Sequence, residues 1–364
     1  MAGTLRQVAV SKLPMLYFGE EPMKWSRQAR SACGVAALAF GSLIAVGCQQ
    51  QPVVWRDPSQ HRVQFVTVEN NVRLEVLDWG GSGRPVVLLA GLGNTAHIFD
   101  GFAEKLVTTS HVYGITRRGF GASSHADTGY AEQRLANDVL QILDSLRIVA
   151  PALAGHSIAG DELTAIGSQH SDRIAGLVYF DAAADPTDDY TEYEALRQKL
   201  PAAMRNPPTP SAADRKSFQA YRDWQLRATG TPFPESELRN IYSVNPDGSL
   251  GAYNGARGAG DAIRAGGRKR DYSHIQVPVL MFTWFPLPID QQLLQYPTHD
   301  PQERAAIEAA YGADADWTNR RIKSVQSAGV GAHVVKLPGA NHYLFISNEA
   351  DVLRELRAFL AGLH

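Results

Sequence analysis

Cysteine is nearly missing from this chain. Only Cys33 and Cys48 occur in 364 residues. Both stand near the N-terminus, so the rest of the chain forms no disulfide within itself and builds no metal site on cysteine. An excess of charge of one sign is also missing. Thirty-five basic residues face 37 acidic ones, a net charge of −2, which leaves no basic field to draw nucleic acid or anionic lipid. There are no internal repeats and no long low-complexity tract. No group of residues has metal-ligand spacing, and "GLGNTAH" lacks the lysine of a phosphate-binding loop, so no cofactor is implied. What is present is globular composition, 44% hydrophobic and 20% charged, enough for one large α/β domain or two smaller ones.

The longest apolar run is short. It covers about 15 residues, Ala32 to Val46, and at ~1.5 Å per residue spans ~22 Å, less than the ~30 Å of a bilayer core. Lys24, Arg27 and Arg30 precede it, and small residues ending in Cys48 follow, the order of an export signal. "LIAVGC" resembles a bacterial lipoprotein signal, in which the cysteine is lipidated and becomes the new N-terminus. That resemblance implies a lipid anchor on Cys48 and attachment to the membrane there. Gln49, after the cysteine, points to the outer membrane or cell envelope. A plain signal peptide, giving a periplasmic or secreted protein, a short anchor and a buried helix are the alternatives. Met23 opens this signal better than Met1 does, because Glu20 and Glu21 suit no positive lead. Residues 1–22 are therefore read as an extension, 23–48 as the signal, and 49–61 as a polar tether.

Beyond residue 61, two strand-like runs, "VQFVTV" and "VRLEVLDW", are split by "ENN", a hairpin signal. Continuous apolar runs follow at "PVVLLAG", "HVYGIT", "APALAG", "IAGLVYF", "VPVLMFTW" and "AHVVKLPG", as expected of strands buried on both faces. Between them, Leu135, Val139, Leu143 and Leu146 fall on one helix face, as do Val352, Leu353, Leu356, Phe359, Leu360 and Leu363. The alternation predicts an α/β fold with a mostly parallel, doubly wound sheet. Residues 183–275 interrupt it with helical runs, proline-rich breaks and no strong strand. They read as an inserted helical cap between two parts of the core, 62–182 and 276–364.

Chemistry concentrates at strand ends. "PALAGHSIAGDEL" places Ser157 at the tip of an apolar run and before a helix, where a sharp turn exposes the hydroxyl. The turn needs small neighbours. Gly155 supplies one, but Ala159 stands where a glycine is usual and Gly160 comes one step late. A serine hydroxyl needs a base. Of eleven histidines, His342 lies just after a strand and just before the last helix. The glycine turn at Gly91, Leu92 and Gly93 offers backbone N–H groups. The amides of Leu92 and Ile158 form a candidate pair for a developing oxyanion. Each feature also has a plain structural reading: a tight turn, a loop histidine, a glycine bend.

"LLAGLGNTAHIFD", "YGITRRGFGASS", "AGHSIAG" and "LPGANHYLFISNEADVLRELRAFL", in that order, resemble the α/β-hydrolase superfamily of the kind with a helical cap. The resemblance covers roughly residues 62–182 and 276–364. It implies Ser157 as nucleophile, His342 as base, and Leu92 and Ile158 as oxyanion donors. Serine argues against the epoxide hydrolases and haloalkane dehalogenases of that superfamily, which use aspartate. The sequence departs from the usual pattern at Ala90-Gly91, at Thr116-Arg117-Arg118-Gly119 and at the acid. The usual acid position falls near Pro286, which leaves Asp181, Asp290 four residues beyond that proline, or Asp185; a site with no working acid is a further alternative. The reading favours Asp181.

The expected function is a serine hydrolase acting on a small acyl substrate, carboxylesterase-like first, with thioester, lactone and amide cleavage as variants. Tyr190, Tyr193, Phe218, Tyr221, Trp224 and Phe233 are candidates for an apolar lid or for the interior of the cap itself. A non-catalytic ligand-binding or sensor protein on the same fold is the competing reading. Composition says nothing of oligomeric state. Peptide mapping of the cellular protein should find nothing from residues 1–22; peptides from that stretch would overturn the start at Met23.

Overall fold

A computed structural model describes residues 55–206 and 208–364; Cys48 and the signal stretch lie outside them. Ser59–His364 pack as one unit. Eight strands make the main sheet: β1 (Arg62–Glu69), β2 (Val72–Gly80), β3 (Arg84–Leu89), β4 (Ser110–Ile115), β5 (Ala152–His156), β6 (Gly176–Phe180), and, after the cap, β9 (Val279–Phe285) and β10 (Ala332–Pro338), in the order β1-β2-β4-β3-β5-β6-β9-β10. Each corresponds to one of the apolar runs. β2 pairs antiparallel with both β1 and β4; every other pair in the sheet is parallel.

Side chains alternate between two cores. Val86, Leu88, Ala152 and Ala154 join one cluster with Phe102, Leu106, Val352 and Leu356. Val87, Leu89 and Leu153 join the other with Val139, Leu143, Leu163 and Ile166. The period of two along each strand puts helices Glu132–Leu146 and Gly160–Gln169 on one face and Glu349–Ala361 on the opposite one.

The cap is more mixed than the sequence suggests. Helices Thr191–Arg197, Phe218–Thr229, Glu235–Ile241 and Ala259–Gly266 are accompanied by a small antiparallel hairpin, β7 (Tyr242–Val244) with β8 (Leu250–Tyr253). The expectation of a cap without strands is corrected here. The turn "NPDGS" closes the hairpin, and strands of three and four residues carry too little apolar pattern to be read from sequence.

The cap is also not a loose cover. Phe218, Tyr221, Phe233 and Leu238 are buried in the same cluster as the sheet and Phe345. Tyr190 and Tyr193 pack their rings on Trp317, in helix Pro301–Val325. The first half of that helix carries Ile307 and Tyr311 against Leu200 and Met204 of the cap, so it serves the cap while Ile322 and Val325 at its other end serve the sheet. Of the six cap aromatics, Phe218, Tyr221 and Phe233 are buried, while Tyr190, Tyr193 and Trp224 are half-buried.

The glycine question at the Ser157 turn is settled by packing. Ala159 is fully buried, and its methyl occupies space left open by Gly155, where an added Cβ would come within 2.9 Å of it. Gly160 is where backbones meet: a Cβ there would overlap the carbonyl of Ala182 after β6 and meet the Arg270 guanidinium at 2.6 Å. The chain therefore needs glycine at 155 and 160 and accepts alanine at 159. Gly160→Ala should destabilise by about 1–3 kcal/mol or prevent folding, while Ala159→Gly should cost about 1 kcal/mol or less; denaturant unfolding of the two variants checks the order.

Candidate active site

The strand order brings the candidate residues together. β3 is the point where the chain changes direction across the sheet: β4 lies on one side of it and β5 on the other. In such sheets ligands sit beyond the carboxyl ends at this switch point. Leu89 pairs with Gly155, so the turn Gly91–Asn94 after β3 stands beside Ser157 after β5. His156 pairs with Phe180, so Asp181 is the next residue along on the neighbouring strand. Phe180 in turn pairs with Phe282, and β10 ends at Pro338, four residues before His342.

Ser157 has φ 57° and Asp181 φ 45°. Both are non-glycine residues in the left-handed region, which costs free energy and is held only where surrounding contacts over-determine it. The strain at Ser157 is that of a sharp strand-to-helix turn, which lifts the hydroxyl out of the sheet edge.

His342 Nδ1 lies 2.7 Å from Asp181 Oδ2. Burial alone would raise the Asp181 carboxyl. The hydrogen bond and charge of His342, the charge of Arg321 and a backbone hydrogen bond from Trp284 overcome that and leave it below its ordinary value. A depressed carboxyl pKa contributes stability above the unfolded value of ~3.9 and loses it as pH falls through the folded one, so the pair is fully formed at neutral pH. Asp290 is elsewhere: it is exposed, in the first turn of helix Ile289–Gln295. Asp185 is committed to its own loop, accepting from Thr187 and from the Arg270 amide. The sequence favours Asp181 but keeps alternatives because Pro286 occupies the usual place; the sheet register puts Asp181 beside His342.

Leu92 and Ile158 both pack their side chains on the cluster of Phe120, Tyr130, Leu135, Ala259 and Ile263. Shared packing holds the two turns, and with them the two amides, at one edge. The turn itself is closed by Asn94 N–H donating to the Gly91 carbonyl at 3.2 Å, and Gly93 supplies the φ of 80° the bend requires.

Several residues to which the sequence assigned no role hold this arrangement, among them Thr116 and Arg117, which it marked only as departures from the usual pattern. Arg117 is buried; its Nε donates to Glu162 at 2.6 Å and its Nη2 to the Ala90 carbonyl at 3.1 Å. It ties the end of β3 to the helix behind Ser157. Arg270 pairs with Asp161 on the same helix and donates to the Ala182 carbonyl, which fixes the loop that carries Asp181. Thr116, where an aspartate is usual, donates to Glu75 at 2.7 Å and accepts from the Ala96 amide at 2.9 Å. His156 packs on the His342 ring, centroids 4.5 Å apart. Burial, with the charge of His342, holds His156 well below the ordinary imidazole value, so it is neutral. Its Nε2 lies 3.2 Å from the His342 carbonyl and donates to it. The signal for Arg117 and Glu162 was legible: two charged residues at positions whose neighbours read as buried.

A doubly wound sheet, a strained serine turn after β5 and a histidine–aspartate pair at the same edge define the class to which this chain is compared. The profile of the Alpha/beta hydrolase family matches residues 86–355, and the chain belongs to that family. Among curated proteins it is similar to the sn-1-specific diacylglycerol lipase ABHD11 of Danio rerio, 26% identical over 185 residues, which are 50% of this chain and 56% of that protein. The chain thus spans about half the length of that relative. Among solved structures, E-2-(acetamidomethylene)succinate hydrolase superposes with a TM-score of 0.57 at 18% identity, covering 83% of this chain and all of that one. A marine microorganism esterase follows at 0.53 and 20% identity, covering 79% and 98%. These likenesses concern the fold.

Removing one member of a buried ion pair leaves the other charge unpaired, at a cost of about 3–5 kcal/mol. Arg117→Met should destabilise the protein by that order, and Arg117→Met with Glu162→Leu should regain a large part of it. Chemical denaturation of the single and double variants measures the coupling.

Proposed function

We propose that the protein is a serine hydrolase that cleaves an ester or related acyl bond through an acyl-enzyme on Ser157. In this reading the Ser157 Oγ attacks the acyl carbonyl as His342 Nε2 takes its proton. Asp181 accepts the Nδ1–H, fixes the tautomer and steadies the imidazolium that forms. The amides of Leu92 and Ile158 receive the developing oxyanion. His342 then gives its proton to the leaving alkoxide, the alcohol departs, and water activated by the same imidazole releases the acid. The observation that carries the reading is the 2.7 Å contact of His342 with Asp181 at the sheet edge where Ser157 is held in a strained turn. The similarity to an sn-1-specific diacylglycerol lipase supports an ester among acyl bonds. If Cys48 carries a lipid, the enzyme works tethered to a membrane surface.

The first experiment is labelling of the purified protein with a fluorophosphonate probe, the adduct located by mass spectrometry. The expected result is an adduct on Ser157, none on Ser157→Ala, and hydrolysis of p-nitrophenyl esters by the unmodified protein. Asp181→Asn should lower kcat by about 100- to 10,000-fold, as loss of the orienting carboxylate does in such triads, while Asp290→Asn should keep it within about twofold. A folded protein that forms no adduct would overturn the reading in favour of a ligand-binding protein on this fold.

A further inference from the structure

The only described carboxylate that reaches the Gly91–Asn94 turn from the cap belongs to Glu237, in helix Glu235–Ile241. Its side chain is completely buried. Asn94 Nδ2 donates to Oε1 at 2.8 Å, the Thr95 amide donates at 3.1 Å, and the Thr95 hydroxyl donates to Oε2. Asn94 is joined on its other side as well: its Oδ1 accepts from the Tyr343 hydroxyl at 3.0 Å. Tyr343 follows His342 in the chain, and its ring packs on His156, centroids 4.7 Å apart. One chain of hydrogen bonds thus runs from the cap, through the turn that carries Leu92, to the loop that carries His342.

We propose that Glu237 is a positioning residue for the oxyanion turn, clamping Asn94 and Thr95 so that the Leu92 amide is in place only when the cap is seated. The proposal rests on the hydrolase reading above. The chemistry of the partners argues for it. All three groups aimed at the carboxylate are donors, and none is a formal cation. The two N–H groups can only donate, and the Thr95 hydroxyl already accepts from the His97 amide at 3.3 Å, so three donations fit a carboxylate, which only accepts; a carboxamide or a protonated acid would force that hydroxyl to turn its O–H away. An apolar side chain would bury the cap equally well, so burial does not explain an acid here. A carboxylate explains the choice if the turn itself must be gripped.

The clamp titrates near neutrality. Burial pushes the Glu237 carboxyl up to about 7, against the hydrogen bonds from Thr95 and Asn94 and the charge of His97. The groups facing it are His97 in the short helical turn Ala96–Phe99, Tyr343 on the histidine loop and, one residue away through Ser236, Asp100. Burial would lower His97, but Asp100 and Glu75 outweigh it and raise its pKa to about 10, so it stays cationic throughout. Tyr343 is pushed up by burial and the Glu237 charge and stays neutral. Asp100 is held far down by its histidine and serine partners, against burial. Glu237 alone among them changes charge between mildly acidic and mildly basic pH. Its accepting form is the ionised one, so the clamp is complete above pH 7 and weakened below.

The test compares Glu237→Gln with the unmodified protein by steady-state hydrolysis of p-nitrophenyl acetate, from about pH 5.5 to about pH 8.5. The expected result is a kcat loss of about 10- to 100-fold at the upper pH, as for a misplaced oxyanion donor, with KM within about threefold. The ratio of parent to variant kcat should rise with pH through about 7, which separates the clamp from any pH dependence common to both proteins. Glu235→Gln, on the same helix but paired with Arg239, should match the unmodified protein. A Glu237→Gln kcat within twofold of the parent, or a loss whose ratio is flat with pH, overturns the clamp and leaves the hydrolase reading standing. Absence of a Ser157 adduct on the parent overturns both. If Glu237→Gln does not fold, Thr95→Val serves with the same readout: a kcat loss at unchanged KM supports the clamp, and unchanged kcat overturns it.

Discussion

The carboxyl edge of the sheet depends on one backbone turn, the left-handed step at Ser157. A non-glycine residue resists that conformation, and packing must hold it there. The packing is visible on every side. Gly155 makes room for the Ala159 methyl, Gly160 lets the next helix lie against the Ala182 carbonyl, and two buried ion pairs, Arg117–Glu162 and Arg270–Asp161, brace the first turns of that helix. One pair reaches back to β3 and the other forward to the loop after β6. Shifting the turn would therefore shift both neighbouring loops.

Around that turn the cap behaves as part of the core. Its aromatics share a cluster with the sheet, its hairpin sends the Tyr253 hydroxyl to the Gly93 carbonyl at 3.0 Å, and Glu237 bonds the next two residues. Tyr253 and Glu237 of the cap together bond the glycine turn and the residue that follows it. Cap seating and site geometry are coupled through hydrogen bonds, and hydrogen bonds in a water-poor interior are strong and directional.

Ester hydrolysis remains a proposal about chemistry, and membership of the Alpha/beta hydrolase family is a matter of fold and sequence. The two are joined by a small set of atoms: the Ser157 hydroxyl, the His342 ring and the Asp181 carboxylate. Fold alone hosts many reactions. Serine at the turn, in place of the aspartate that opens epoxides, is what directs the reading toward acyl transfer.

The sequence by itself determined the eight strands of the sheet, the interruption by a cap, and the positions of Ser157, His342 and the Gly91–Gly93 turn at strand ends. Those follow from local signals: apolar period, glycine, and the place of a polar residue at the end of an apolar run. The short strands of the cap hairpin and the double service of helix Pro301–Val325 were decided by tertiary structure alone, and the choice of partner for His342, which the sequence favoured without closing, was decided there too. Asp181 and Asp290 are both carboxylates soon after buried strands, and the sequence favours Asp181 without excluding Asp290. Strand register does, because it sets Asp181 one step past the His156–Phe180 pair while Asp290 is carried away on an exposed helix. Glu237 shows the same limit more sharply: a glutamate in an amphipathic cap helix reads as surface until the fold buries it against residues more than a hundred positions earlier in the chain.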